Sequence, residues 1–366
     1  MKKKILAAVL LVSVTLMAAG CGKEEASAPK ENTANAENNE PKAEEEKSEE
    51  AKADGETYSI VIPQTQNESD PQVIAYHMLE EALEERSEGR IQVEVYSGGT
   101  ISSGDTETLQ LVASNAAQIG NCPNYTLAES IGVKALYIWD YPFLFQSSEE
   151  MYQIMDDPDF WSDVSAQIEA SSTLKVYSNY VNSWQLISNS KRAVTSPADL
   201  SGLKIRTSTA ELYVSTINAL GGNATPMAWG EVFSALQQGT VDGAFVASTL
   251  FDLNKFSEVQ KFATDVNPNA NLQIVFINRD FYNSLPEDLQ KIMDEEMENF
   301  VANVRKLCAE TEAKAWDSIE NSGVEVTHLT KEQRAEFTEA GKVIWEEKAD
   351  VAGEDVVALV REKLGR

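Results

Sequence analysis

The feature that most restricts the fold is a long helical pattern near the C-terminus that contains no internal glycine or proline. Ser284 and Glu287 have the spacing of a capping box, and the pattern then continues to about Asn321. A helix of thirty-odd residues spans roughly 50 Å, which is longer than one compact lobe. We therefore expect two lobes, with this helix running along both.

Strand-like runs rich in β-branched residues alternate with helical patterns through the rest of the body. The runs are 58–63, 91–96, 174–180, 203–206, 241–247, 271–278 and 324–328. Asp70 and Pro71 predict the start of a first helix that carries Ile74, Met78 and Ala82 on one face. This alternation favours an α/β fold with a doubly wound sheet and a ligand site at the carboxyl ends of its strands.

Helix signals also divide the C-terminal segment. Thr330 and Gln333 form a second predicted capping box, and Gly353 is expected to separate that helix from a last one that ends near Leu364.

The first 57 residues predict export and anchoring. Lys2, Lys3 and Lys4 precede an apolar run, 5–19, that is too short for a spanning helix, and the run leads into Gly20 and Cys21. The segment 16–21 resembles the lipobox of bacterial lipoproteins, which implies that residues 1–20 are a signal peptide and that Cys21 is lipidated. A plain signal peptide with an incidental cysteine is the alternative. Residues 21–57 contain no aromatic residue and predict a disordered acidic linker.

Charge and cysteine content exclude several classes of function. The net charge is −29 and the residues from Tyr58 onward carry −25 of it, so nucleic acid is not an expected partner and any anion site must be built locally. Cys21, Cys122 and Cys308 form no C-x-x-C pair, and neither a metal nor another cofactor is expected. Sequence alone leaves a bond between Cys122 and Cys308 undecided.

Three stretches in order along the body resemble one family. They are 89–96 with 140–145; 189–192 with 197–206 and 219–227; and 231–243, which is the most specific. In these stretches the chain resembles the dicarboxylate-binding type of solute-binding protein, which serves tripartite ATP-independent periplasmic (TRAP) transporters. The resemblance implies a periplasmic-binding-protein-like fold of two hinged lobes spanned by a long helix, closing on a small organic anion and delivering it to a membrane permease. It places lobe 1 at about 58–180 and lobe 2 at about 181–271, each completed by part of the segment to residue 366.

The resemblance also implies a ligand-binding arginine at Arg206. A guanidinium offers a carboxylate two parallel donors and keeps its charge in a closed cleft. The chain departs from the family at Gln185, which is flanked by Trp184 and stands where a second arginine is common. It departs again at 244–247, where Val246 replaces a polar asparagine. We expect one anchored carboxylate and a more apolar or aromatic remainder, stacked on Trp184 or Phe245, unless these side chains only fill the core.

Further candidates come from predicted strand ends and turns. They are Gln64, Gln66 and Asn67 after the first strand; Asn121 and Tyr125 after the strand-like run 117–120; Trp229; and Asn267, Asn269 and Asn271. Each has a structural alternative as a polar loop, a turn or a core residue.

Catalysis has no positive support in the sequence. The chain has two histidines, His77 and His328, and no G-x-S-x-G or phosphate-loop motif. The sequence therefore predicts a binding protein that acts as a monomer on the outer face of the cell membrane. A lipid-anchored sensor subunit is the alternative, followed by an exported enzyme.

Overall fold

The structure is a computed structural model that describes residues 56–366. The predicted signal peptide, Cys21 and nearly all of the predicted linker lie outside the described residues. Within the described part of the chain, no helix has both the length and the apolar character needed to cross a membrane.

Ten strands are distributed along the described residues. They are Tyr58–Pro63 (β1), Ile91–Tyr96 (β2), Ile119–Pro123 (β3), Leu174–Asn189 (β4), Lys204–Thr207 (β5), Asn223–Pro226 (β6), Gly243–Ala247 (β7), Phe262–Thr264 (β8), Ala270–Asn278 (β9) and Glu325–Thr327 (β10). All seven predicted strand runs coincide with a strand to within a few residues, except that 174–180 is only the first part of β4.

Thirteen α-helices separate and follow these strands within the same residues. They are Pro71–Arg86 (α1), Asp105–Ala113 (α2), Asn124–Ile131 (α3), Ser148–Met155 (α4), Pro158–Ser171 (α5), Glu211–Ala219 (α6), Val232–Gln238 (α7), Ser248–Leu253 (α8), Arg279–Ser284 (α9), Glu287–Asn321 (α10), Lys331–Glu347 (α11), Ala349–Ala352 (α12) and Glu354–Lys363 (α13).

Strand β4 belongs to both lobes. Its first part pairs with β9 as far as Trp184, and from Gln185 onward it pairs with β7 and β8. Strand β9 also pairs with β3 in lobe 1, whereas β7 continues through β5 to β6 in lobe 2. The parallel pair β1 and β2 completes the strands of lobe 1. The chain therefore passes between the lobes at Trp184 and Gln185 and returns just before Ala270.

Helix α10 confirms the predicted long helix and its course along both lobes. It has 35 residues, and its N-terminal half packs Met293, Met297 and Phe300 into the lobe 1 core beside β1 and α1. Ile319, near its other end, packs in the lobe 2 core with Leu186. One helix thus shares its apolar surface between two cores.

One predicted local feature is wrong. Ser284 does not cap α10, because it ends α9 and its hydroxyl donates to the carbonyl of Phe281, while Pro286 precedes α10 without a capping bond. In α1, Asp70 caps the helix as predicted, but Ile74 and Met78 are exposed. The buried face is the one that carries Tyr76 and Leu79, because this is the side on which α10 packs.

The C-terminal signals are confirmed. Thr330 and Gln333 exchange the bonds of a capping box at the start of α11, and Gly353 lies between α12 and α13.

Candidate functional site

A cavity of about 580 Å³ lies between the lobes, where strand ends from both converge. Lobe 1 contributes residues after β1, at the end of β3, in β9 and at the start of α2. Lobe 2 contributes residues from β5, β7 and the segment after β6. The cavity lies at strand ends, where the sequence predicted a ligand site.

Arg206, in β5, places a buried cation in the cavity wall. Its side chain is 5% exposed, one terminal nitrogen donates to the carbonyl of Met227 at 3.0 Å, and the guanidinium lies 5.7 Å from the ring centre of Trp229. Burial lowers the pKa of Arg206 to about 10. Its Nε has no hydrogen-bond partner, and it makes no ion pair among residues 56–366. A buried cation in these surroundings favours an anion that can complete its bonds.

Aromatic side chains form much of the remaining wall. Tyr213 lies 5.6 Å from Tyr125 and 5.3 Å from Phe245, ring centre to ring centre. Trp229 stacks on Phe256 at 5.7 Å. Phe245 and Tyr213 are buried, so the part of the wall that they form is packed from behind.

A carboxyl group faces the same cavity from lobe 1. Asp105 is the first residue of α2 and lines the cavity together with Thr106 and Glu107. Burial raises the pKa of Asp105 to about 6, so its ionised form is disfavoured there. An ionised Asp105 would repel a second carboxylate and would accept a hydrogen bond from a hydroxyl group.

Gln185 lies where β4 passes from one lobe to the other. Its backbone N–H donates to the carbonyl of Asn269, and its carbonyl accepts from the N–H of Asn267. The side chain lines the cavity, is 3% exposed and has an Oε1 without a partner among the described residues. The donor Arg206 Nε therefore needs an acceptor, and the acceptor Gln185 Oε1 needs a donor.

The structure brings together seven of the predicted candidates. The residues that line the cavity are Gln66, Tyr125, Gln185, Arg206, Trp229, Phe245 and Asn271. Val246 also lines it, at the position where the family motif has a polar residue.

The other candidates lie elsewhere. Trp184 donates its indole N–H to the Ser148 hydroxyl at 3.0 Å and does not line the cavity. Of the two side chains expected to stack on the ligand, only Phe245 is therefore in the cavity wall. Asn67 is exposed on the loop after β1. Gln64 and Asn121 are buried behind the wall and form a hydrogen bond with each other. Asn121 lies within β3 rather than after it, because that strand continues to Pro123.

The asparagine-rich segment before β9 is a turn, as its sequence also suggested. Asn267 has a φ of 47°, and the amide of Asn269 donates to the carbonyl of Asp140. Only Asn271 of this group reaches the cavity wall.

Sequence reasoning missed several wall residues. Asp105, Asn182 and Tyr213 line the cavity, as do Gln72 and Gln273. Asp105 follows Gly104 at a helix start, a signal that also describes an ordinary cap. The others lie inside elements, where periodicity does not distinguish a cavity wall from core.

Three residues of the family-like stretches have structural roles. Asn189 closes a turn by accepting from the N–H groups of Lys191 and Arg192, and Asp242 accepts from the N–H of Lys204. A Cβ on Gly243 would lie 1.9 Å from the carbonyl oxygen of Ser188, so only glycine fits at this strand crossing. Asn189, Asp242 and Gly243 thus support the strands β4, β5 and β7 next to Arg206.

The fold has two lobes, crossing strands between them and a cavity with a buried guanidinium. These features define the class of two-lobed solute-binding proteins. A sequence profile described as "Bacterial extracellular solute-binding protein, family 7" matches residues 62–350. The chain belongs to this family, the solute-binding proteins of TRAP transporters, as the resemblance predicted.

Individual relatives agree with this assignment. The chain is 27% identical over 283 residues to the 2,3-diketo-L-gulonate-binding periplasmic protein of Escherichia coli, covering 75% of this chain and 81% of the relative. It is also 27% identical over 283 residues to the C4-dicarboxylate-binding periplasmic protein of Rhodobacter capsulatus, covering 77% and 84%.

Solved structures share the fold. A TRAP periplasmic solute-binding protein from Ochrobactrum anthropi has a TM-score of 0.76 at 29% identity, covering 85% of this chain and 95% of that protein. A sugar acid binding protein from Advenella mimigardefordensis, in complex with galactonate, has a TM-score of 0.78 at 22% identity, covering 83% and 97%.

Proposed function

We propose that this solute-binding protein captures a small organic acid with one carboxylate held by Arg206. The observation that carries the proposal is the burial of this guanidinium at the cavity wall without a carboxylate partner among the described residues. Binding of an anion there would exchange an uncompensated buried charge for a bidentate ion pair. Relatives described as binding a C4-dicarboxylate and galactonate support the ligand class.

The rest of the cavity favours a ligand with hydroxyl or apolar groups over a dicarboxylate held at both ends. Asp105 opposes a second negative charge, Gln185 has an acceptor to satisfy, and Phe245 and Val246 are apolar. A hydroxy acid or an aromatic acid meets these conditions, because it offers a donor or a ring where a second carboxylate would be repelled.

The chain acts as a binder and not as an enzyme in this proposal. Burial raises the pKa of the Cys122 and Cys308 thiols well above the usual range, which keeps them unreactive, and the two are not joined to each other. His77 bonds to Glu68 and Glu80, and His328 bonds to Asp265 and Glu320; neither lines the cavity.

Anchoring and delivery complete the proposed role. Lipidation of Cys21 would hold the protein at the outer face of the membrane, within reach of a TRAP permease, and closure of a monomer around the acid would present the loaded form. Mass spectrometry of the mature N-terminus tests the anchor: a diacylglyceryl group on Cys21 is expected, and an unmodified cysteine would contradict it.

Titration calorimetry with C4-dicarboxylates, sugar acids and aromatic acids tests the site. Arg206→Ala should weaken binding of the best acid by at least tenfold, about 1.4 kcal/mol. Arg206→Lys should retain part of the affinity, because it keeps the charge but not the bidentate geometry. Arg90→Ala is the matched control, since Arg90 pairs with Asp288 away from the cavity. Unchanged affinity in a folded Arg206→Ala protein would exclude the proposed site.

A further inference from the structure

A chain of side-chain amides runs behind the lobe 1 wall and ends at the cavity. Each member donates to the next, in the order Gln72, Gln64, Asn121, Gln273, Asn271. The first four are at most 7% exposed, and three of the five, Gln72, Gln273 and Asn271, line the cavity.

The links are short and all run in one direction. Gln72 Nε2 donates to Gln64 Oε1 at 2.8 Å, and Gln64 Nε2 donates to Asn121 Oδ1 at 3.1 Å. Asn121 Nδ2 donates to Gln273 Oε1 at 2.8 Å, and Gln273 Nε2 donates to Asn271 Oδ1 at 2.7 Å. An amide has a donor face and an acceptor face, so the orientation of each member sets that of the next.

A backbone carbonyl fixes the direction of the chain. Gln64 Nε2 also donates to the carbonyl of Pro63 at 2.8 Å, and a carbonyl can only accept. If the side-chain amide of Gln64 were flipped, its oxygen would face this carbonyl and Asn121 Oδ1. Three acceptors would then be buried together without a donor between them. The Tyr76 hydroxyl, 3.1 Å from Asn121 Oδ1, adds a further donor to that oxygen.

We infer that this chain holds Asn271 with its oxygen turned inward and its NH₂ group presented to the cavity as a donor. Gln64, Asn121 and Gln273 are then positioning residues, and the ligand must offer an oxygen acceptor to Asn271. The inference deepens the proposed function and rests on it only for the ligand, since the direction of the chain belongs to the free protein.

Side-chain amide hydrogen exchange, measured by ¹⁵N NMR on the ligand-free full chain, tests the direction. The NH₂ of Asn271 should exchange at least about tenfold faster than that of Gln273, whose NH₂ is engaged inside the wall. A protected Asn271 NH₂ in the wild type would overturn the inference while leaving acid binding by Arg206 untouched.

Asn121→Asp should reverse the last two links. The new carboxylate accepts from Gln64 and can no longer donate, so Gln273 must turn its NH₂ toward it and Asn271 must donate to Gln273. The Asn271 NH₂ then becomes protected. Asn182→Asp is the matched control: Asn182 also lines the cavity but lies outside the chain, so the same added charge should leave Asn271 exchange unchanged.

Gln273→Glu reverses the last link alone and gives a second route to a protected Asn271 NH₂ if Asn121→Asp does not fold, because the introduced carboxylate would accept from both Asn121 and Asn271. Unaltered Asn271 exchange in a folded reversal variant would overturn the inference. For whichever of succinate, galacturonate and phenylpyruvate binds the wild type, the reversal variant should bind at least about fivefold more weakly than the wild type. Unchanged affinity would overturn the ligand role of Asn271, and binding of none would count against the proposed function and not against the exchange result.

Discussion

At the scale of single residues, Asp105 and Asp140 are two of the carboxyl groups whose surroundings disfavour their charge. Asp105 faces the ligand cavity, whereas Asp140 is fully buried behind it and accepts one bond, from the Asn124 amide at 2.9 Å. The other oxygen of Asp140 has no partner among the described residues, and burial raises its pKa well above the usual range. The two groups therefore predict different pH dependences, one in binding and one in stability.

Ligand affinity should increase as the pH falls through the pKa of Asp105. Its pKa of about 6 means that Asp105 is ionised at pH 8 and largely neutral at pH 5.5, which removes a repulsion worth on the order of 1 kcal/mol toward a bound carboxylate. The measurement is calorimetry at both pH values with an acid that lacks a hydroxyl group. A ligand hydroxyl that donates a hydrogen bond to ionised Asp105 would offset the loss of affinity caused by repulsion. Asp105→Asn should flatten the dependence, and an unchanged slope in that variant would assign it to another group.

Asp140→Asn should stabilise the protein increasingly as the pH rises. The folded-state pKa of Asp140 lies above its unfolded value of about 3.9, so its contribution to stability is fully present below that value and is lost as the pH rises toward the folded pKa. Asparagine can still accept from Asn124 and carries no charge, so the gain at pH 8 should be about 1–3 kcal/mol. Urea denaturation between pH 4 and pH 8 measures it. The exposed substitution Asp163→Asn is the control, and a constant difference across the range would contradict the argument.

At the scale of elements, the contact between β4 and β7 sets the position of Arg206. Strand β7 pairs with β4 on one side and with β5, which carries Arg206, on the other. Gly243 starts β7 directly against Ser188 and Asn189 of β4. A displacement of β7 would therefore move β5 and the guanidinium together.

Gly243→Ala should destabilise lobe 2 strongly. The added Cβ would meet the Ser188 carbonyl oxygen at 1.9 Å and Asn189 backbone at 2.9 Å, and neither can move without shifting the strand. We expect a loss of at least about 2 kcal/mol in the free energy of unfolding, from urea denaturation. Gly230→Ala is the comparison, because a Cβ there meets nothing within 4 Å. Equal stabilities for the two variants would show that the sheet can adjust.

At the scale of the whole molecule, segments that cross between the lobes provide the hinge we propose. They are β4 at Trp184 and Gln185, the turn before β9, and α10. Glu312 of α10 connects α10 to the crossing in β4 and to α8. Its carboxylate accepts from the N–H of Trp184 and from the hydroxyl of Ser248 at the start of α8. The short crossings in β4 and before β9 allow rigid lobes to rotate with small changes in backbone angles.

Ligand should shorten the distance between the lobes. In a Cys21→Ser background, spin labels on Glu81→Cys in α1 and Gln237→Cys in α7 occupy exposed positions, while Cys122 and Cys308 are buried and should label poorly. Double electron–electron resonance with and without the best acid should show a shift to shorter distances, and the same labels in Arg206→Ala should not respond at that ligand concentration. An identical distance distribution with bound acid would contradict closure.

The sequence by itself determined seven of the strands, the main helix signals and the family of the protein. Strand runs, helix caps such as Asp70 and Thr330, and the uninterrupted pattern of α10 depend on neighbouring residues, so they can be read locally. Arg206 was identified because its flanking family pattern is also local. Ser284 was misjudged as a cap of α10 because it ends α9 instead.

Only the tertiary structure decided which side chains share the cavity. Trp184 and Gln185 are adjacent in β4, yet only Gln185 lines the cavity, while Asp105 reaches it from a distant helix. The amide chain from Gln72 to Asn271 joins residues from four separate segments. The physical reason is that side-chain direction and hydrogen-bond polarity at a site depend on how separate elements pack, and no local pattern contains that information.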